Sequence, residues 1–305
     1  MTTRRCQPAA VLLVLLHICG SILLSSSFIP SISPPSSLLI SSNGGTKTRL
    51  FSYAKIPSSP TDRDKAALSS IQSAIQSPRV PNYPYIECEF PVVSSLNKLG
   101  DGSLRSSLEV EDANVEFVIK LVNSLTNPFA SIFGGGKKVY LLMSTSASNS
   151  LMNKVQAKVK KGGSGGATTV IALRDGMPEA TGKDKVCVFL TPSSQRDYQI
   201  ARTLAEAGCP TVVVNASFKD QKSIPPNATM AYYLKPLTYN SQVAGYLIRA
   251  YPSLWTALDS QSKAVLGSFT DAQILVDRTN TPDLRESGRL VQKSVDERAI
   301  RARKG

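Results

Sequence analysis

Apolar and polar positions recur along the chain with two periods, and each change of period marks a new element. From Asp62 to Gln76 the apolar residues Ala66, Leu68, Ile71 and Ile75 fall at helical spacing, and Pro78, Pro81 and Pro84 end the run. Tyr85-Ile86-Glu87-Cys88-Glu89-Phe90 then alternates as a strand does, until Pro91 stops it. Val115, Val118, Ile119, Val122 and Leu125 share one helical face. Lys138 to Met143 is nearly continuous in apolar residues and reads as a strand, Ser148 to Lys160 as a helix, and Thr169 to Leu173 as a strand.

The most sharply drawn unit follows. Lys185 to Leu190 is an apolar strand, Ser194 with Asp197 forms a variant capping box, and Tyr198, Ala201, Leu204 and Ala205 make the inner face of a helix that Gly208 and Pro210 terminate. Thr211 to Asn215 is the next strand, so the segment is a βαβ unit, which implies parallel strands covered by helices. Met230 to Leu234 and Gly245 to Tyr251 read as further strands, with another from Ala264 to Phe269. The expected fold class is α/β: a single three-layer Rossmann-like domain with a mostly parallel sheet over residues 61–275. Leu284, Val291 and Val295 mark a helix within a basic C-terminal segment, 276–305, that ends in Arg298, Arg301, Arg303 and Lys304.

The front of the chain has a different character. Arg4 and Arg5 precede an apolar run from Ala9 to Leu24, the layout of a signal peptide over residues 1–27. The run is shorter than the roughly 20 apolar residues of a membrane span, although a signal anchor is the competing reading. Residues 28–51 are rich in Ser and Pro, and the first acidic residue of the chain is Asp62, a composition that suits a disordered plastid transit peptide. Residues 52–60 then read as a linker. Ser26-Ser27-Phe28-Ile29-Pro30 resembles the junction in the bipartite presequences of algae with secondary plastids, which makes Phe28 a targeting residue and implies import through the ER. The competing reading is a secreted protein with a mucin-like linker.

Removing residues 1–51 also removes the one histidine, His17, and with it the Ser-His-Asp triad, the Cys-His dyad and most zinc sites. It takes four basic residues from a formal charge of +13, leaving +9. Cys88, Cys187 and Cys209 remain, in or beside apolar runs and with no Cys-x-x-Cys spacing, so neither a redox motif nor a thiolate metal site is expected.

Glu87-Cys88-Glu89-Phe90-Pro91 resembles the acidic-Phe-Pro signature of a domain of unknown function found in cyanobacteria, algae and plant plastids. Cys209 to Asn215, Ala231 to Leu237 and Gly245 to Trp255 resemble its later blocks. That family includes the low photosystem II accumulation (LPA) assembly factor, and the same domain is also found fused to a plastid adenylate kinase. Two departures stand out: Val92 where a second Pro is common, and Ala216 after Asn215 where Pro is usual. The resemblance implies a plastid protein, stromal or thylakoid-associated, whose partners are thylakoid assembly intermediates such as a photosystem II core antenna subunit.

Candidate residues are few. Gly134-Gly135-Gly136-Lys137-Lys138 lacks the Ser/Thr of a phosphate loop and opens a strand, and Gly162 to Gly166 fails in the same way. Glu87 and Glu89 share a strand face, either as a cation or acid/base pair or as the polar face of an edge strand. Phe90 and Pro91 join them as partner-binding candidates through the resemblance. Asn215 lies where open α/β sheets place ligands and begins the sequon Asn215-Ala216-Ser217, with Asn227-Ala228-Thr229 a second. Arg249 and Trp255 read as a cation–aromatic pair that fixes a turn or meets a partner. No catalytic set, metal site or cofactor is expected. The basic C-terminus reads as a solvated helix end or as peripheral contact with anionic lipid or contact with RNA. Nucleic acid, which the charge of +9 would attract, is the less expected partner, since basic and aromatic residues suited to single-stranded RNA do not interleave elsewhere. The leading expectation is a non-catalytic assembly factor for photosystem II or a related thylakoid complex, and the alternative a nucleotide- or phosphometabolite-binding domain of the plastid stroma.

Overall fold

The computed structural model describes residues 53–77, 84–92, 104–127, 136–180, 182–217, 224–225, 228–276 and 281–304. The presequence, Phe28 included, together with Gly134, Gly135 and Asn227, lies outside the described residues. The elements are α1 (Pro60–Gln76), β1 (Tyr85–Glu89), α2 (Leu104–Thr126), β2 (Lys138–Met143), α3 (Asn149–Lys161), β3 (Thr168–Ala172), β4 (Lys185–Leu190), α4 (Gln195–Glu206), β5 (Thr211–Val214), β6 (Thr229–Tyr239), β7 (Gln242–Ala250), β8 (Trp255–Asp259), β9 (Val265–Phe269), α5 (Asp271–Val276) and α6 (Leu284–Lys304).

Local chemistry starts α1, α3 and α4. Ser59 caps α1 by accepting from the Asp62 amide at 3.1 Å, with Pro in the first turn, where its missing N–H costs nothing. Ser148 caps α3, whose last turn carries Lys158, Lys160 and Lys161 against the negative end of the helix dipole. Ser194 and Asp197 form a full capping box on α4. Asp112 and Glu116 on α2 pair with Lys154 and Lys158 on α3, two rungs one helical turn apart that tie the helices side by side.

The strands form one nine-stranded sheet in the order β3-β2-β4-β5-β1-β6-β7-β8-β9. The first six are parallel, and β6 to β9 form an antiparallel meander at one edge. The fold is therefore α/β with a large, mostly parallel sheet, one antiparallel edge and, among the described residues, six helices. Two residues at positive φ, Asn240 and Ser241, turn β6 into β7, the backbone that a two-residue hairpin needs.

Both sheet faces are covered, which explains the unbroken apolar runs. Along β4, Val186, Val188 and Leu190 pack with α1, α2 and α3, whereas Cys187 and Phe189 meet Tyr198, Ala201 and Leu204 of α4 on the other face. Over the antiparallel edge, Met230, Tyr233, Leu247 and Trp255 pack with Ile274 of α5 and Val291 of α6. β1 is not an edge strand: Ile86 pairs with Val212 of β5 and with Thr229 of β6. The edge-strand reading of Glu87 and Glu89 is thus corrected. Sequence alternation is a local property, whereas the neighbours of β1 are residues more than a hundred positions away.

Helix α6 is bound into the body. It lies over Gly245 and Gly267, where an added Cβ would meet Val291 at 2.5 Å and Leu290 at 2.7 Å. Arg298 and Ser294 bond the buried Asp259 on β8, whose carboxyl is raised by burial but, on balance, held well below its usual range by Arg298 and neighbouring donors. A methyl group at Gly245 must push into Val291 and the Leu258 carbonyl at 2.6 Å. Gly245→Ala should cost roughly 1–3 kcal/mol, read as a lowered Tm in thermal melts of the full chain. An unchanged Tm would show that α6 does not rest on the sheet.

Candidate functional site

The carboxyl ends of the parallel strands open onto two adjoining hollows lined by both polar and apolar side chains. β6 continues past the end of β1, and its Leu234, Lys235 and Pro236 wall a cleft of about 580 Å³. Phe90, Pro91 and Val92 line it from beyond β1, Val110, Glu111 and Asn114 from α2, and Asn215 from the end of β5. A second hollow of about 290 Å³ adjoins it, with Glu111, Leu151, Thr191 and Ser217 common to both. This hollow lies between the ends of β2 and β4, the point where the chain winds outward in opposite directions, and open α/β sheets bind ligands in such crevices. Thr191, on the shared lip, holds φ 44°, a conformation that a β-branched residue adopts only when its surroundings enforce it.

The larger cleft is framed by an amide clamp. The Asn215 amide nitrogen Nδ2 donates to Asn114 Oδ1 at 2.8 Å, and its Oδ1 accepts from the Phe90 backbone N–H at 2.8 Å. Its own N–H donates to the Cys88 carbonyl, and its φ of 45° is one that Asn tolerates better than most residues. Asn215 therefore joins β5, β1 and α2, and its side chain is engaged by protein before any ligand arrives.

Arg63, on α1, secures the same strand end. Its guanidinium donates to the carbonyls of Pro91 and Val92, both at 2.9 Å, and lies over the Phe90 ring, 4.8 Å from the centroid. Asp64 accepts from Arg63 at 2.6 Å and from Lys120 of α2 at 2.7 Å. Phe90 meets Phe117 and Tyr232 edge-on. The Phe-Pro signature is thus a junction between two helices and a strand end. Nothing in an amphipathic first turn singles out Arg63 or Asp64, so sequence reasoning missed both.

The smaller hollow is organised by Asp197, which is fully buried. Its carboxylate accepts from Ser144 Oγ at 2.6 Å, from the Thr145 amide at 3.0 Å, and from the Ser193 and Ser194 amides at 2.9 and 3.1 Å. Ser193 also lies 2.6 Å from both Ser144 and Ser146. The loops after β2 and β4 are thereby tied to one carboxylate. The visible sign was two serine-rich stretches, Ser144 to Ser148 and Thr191 to Ser194, but only the fold reveals that they face each other.

The remaining candidates are dispersed. Glu87 and Glu89 share a face opposite Cys88; Glu87 is buried near Tyr198 and Val213, and Glu89 reaches the cleft. Arg249 and Trp255 are not among the cleft-lining residues. The buried Arg249 forms a two-bonded pair with Asp271 at 2.6 and 2.8 Å, donates to the Met230 carbonyl, and lies 5.5 Å from the Trp255 ring and 5.7 Å from Tyr251. Trp255 Nε1 donates to the same Asp271 at 3.1 Å. Gly162 closes α3 and Gly163 turns at φ 76°, so that glycine loop ends a helix rather than opening one. Among the described residues, no group of three or more His, Cys, Asp or Glu is placed to hold a metal ion, and no helix is long and apolar enough to cross a membrane.

Fold and site together define an α/β protein with a mixed sheet and a mainly apolar cleft at the carboxyl ends of its parallel strands. Residues 57–284 match the family described as Domain of unknown function (DUF1995), and the chain belongs to that family. The match runs from the entry into α1 to the first residue of α6, so it takes in the whole sheet and the cleft. No curated protein and no solved structure matches the chain.

Burial opposes the charge of Asp197, but its bonds from Ser144, Thr145 and Ser193 prevail and hold the carboxyl below the usual range. A depressed folded pKa means that this stabilisation is complete above the unfolded value of about 3.9 and is lost as pH falls through the folded one. Asp197→Asn should cost roughly 2–4 kcal/mol near neutral pH. In urea melts the gap from the parent protein should close below about pH 4, and a gap independent of pH would contradict the assignment.

Proposed function

We propose that the protein is a non-catalytic plastid factor, acting through protein contacts in the assembly of photosystem II or a related thylakoid complex, and that it grips its partner in the cleft at the carboxyl ends of the sheet. In this reading the body works as a single Rossmann-like domain, and its expected partner is an assembly intermediate carrying a core antenna subunit. The observation that carries the reading is the make-up of the cleft. Phe90, Pro91, Val92, Val110, Leu151, Leu234 and Pro236 supply apolar surface, while Asn114 and Asn215 at its back are bonded to each other. Covering such surface with apolar side chains of a polypeptide yields about 25 cal/mol per Å². The plastid location is supported by the basic, acid-free N-terminal segment, and the client by the resemblance of the Glu-Phe-Pro block and the later strand blocks to the assembly-factor family.

A second reading, a nucleotide- or phosphometabolite-binding domain, is favoured by the smaller hollow, where Ser148, the N-cap of α3, and Ser193, the residue before the N-cap of α4, line a switch point of the sheet. The charge speaks against it: Glu111 is the one charged residue among the described residues lining the smaller hollow, and the adjoining cleft sets the single cation Lys235 against Glu89 and Glu111.

Disrupting the gene should lower the accumulation of photosystem II subunits, measured by immunoblot and fluorescence yield. Wild-type protein should restore it, whereas Val110→Lys, which places a charge on the half-buried cleft wall, should weaken partner recovery at least about tenfold. Normal complexes in the disrupted strain would sink the proposal. A rise in Tm with nucleotides or sugar phosphates would favour the second reading, because a ligand specific for the folded state stabilises it.

A further inference from the structure

The α4/β5 turn carries Cys209 back against β4, where it meets Cys187. The Sγ atoms are 3.6 Å apart, and both residues are wholly buried. The backbone sets the approach: the Cys187 N–H donates to the Pro210 carbonyl at 2.8 Å, which fixes β4 against the start of β5. Both side chains belong to the core beneath α4, whereas Cys88 lies in the core on the opposite face of the sheet. The pair stands 22 positions apart in the chain, so no short motif announces it. A disulfide holds its sulfurs about 2.05 Å apart, so the two sulfurs must close from 3.6 Å to form one. The thiols are also unequal. The two sulfurs share a hydrogen bond that lowers the Cys209 pKa and raises that of Cys187; burial disfavours the thiolate at both, and Lys185 favours it at both.

We propose that Cys187 and Cys209 are a redox modification site, forming a reversible disulfide with a hydroperoxide as oxidant. The Cys209 thiolate attacks the peroxide: an S–O bond forms, the O–O bond breaks, and the departing hydroxide leaves as water after taking up the thiol proton. Cys187 sulfur then attacks the resulting sulfenic acid. The S–S bond forms, the S–O bond breaks, and the hydroxyl leaves as water with the Cys187 proton. Overall, two thiols and one hydrogen peroxide give one disulfide and two waters; the sulfurs lose two electrons and the peroxide gains them. A dithiol reverses the step by exchange. The bridge closes a loop containing α4, whose first turn carries Asp197, and so braces one wall of the smaller hollow. Because both thiols are buried, oxidation proceeds through local opening and is slow in the native state.

The test uses the full chain, reduced, then incubated with hydrogen peroxide under native conditions, alkylated in denaturant and mapped by mass spectrometry. The expected result is a Cys187–Cys209 linked peptide that dithiothreitol removes, Cys88 recovered in alkylated form, and a Tm on the order of 5 °C higher in the oxidised protein. In Cys187→Ser the linkage should vanish, and dimedone should trap Cys209 as its sulfenic acid. Recovery of both Cys187 and Cys209 as alkylated thiols after peroxide would overturn the proposal, as would a bridge from either of them to Cys6, Cys19 or Cys88. Should the serine variant not fold, the wild-type map with and without reductant decides by itself.

Discussion

A strand from the amino-terminal end of the body lies in the middle of the sheet, and the remaining structure is arranged around it. Neither strand beside β1 is its neighbour in sequence: Ile86 pairs with Val212 on one side and Thr229 on the other. Contacts that span so much chain carry a loop-closure cost before they give any return. The end of β1 is where that return is concentrated. Asn215 takes the Phe90 amide, Arg63 takes the carbonyls of Pro91 and Val92, and Phe90 fills the space between α2 and β6. The same junction forms the back of the cleft, so the feature that completes the sheet also shapes its opening.

Three buried carboxylates give this basic chain its internal order. Asp64 joins α1 to α2 through Arg63 and Lys120, Asp197 joins the loops after β2 and β4, and Asp259 holds α6 through Arg298 and Ser294. Each replaces the water it loses with several donors, the condition under which a buried charge is tolerated. None of the three lines the larger cleft, where Asn114, Asn215 and Ser217 are bonded within the protein and apolar side chains supply the larger part of the surface.

Counted from β2, the parallel strands run in the order 2-1-3-4, as in one common doubly wound arrangement, with β1 in the next place. β6 then serves two neighbours, parallel to β1 and antiparallel to β7. Its length makes this possible, because the residues beyond Tyr233 have outrun β1 and form a wall with the hairpin behind them.

The chain's own pattern determined the helices other than α5, the parallel βαβ unit of β4, α4 and β5, and the burial of both sheet faces. These depend on local spacing, capping residues and unbroken apolar runs. It also pointed to Asn215 as a strand-end residue and to Glu87 and Glu89 as sharing a face. β8 and α5 were not anticipated: Trp255 to Asp259 is short, and it gains its strand identity from pairing with β7 and β9. The central place of β1, the meeting of two serine loops on Asp197, the Arg63 junction and the contact of Cys187 with Cys209 were decided by tertiary structure alone. Each joins residues that are distant in sequence or reads an ordinary surface-type residue as buried, and periodicity holds no information about which distant segment will lie alongside.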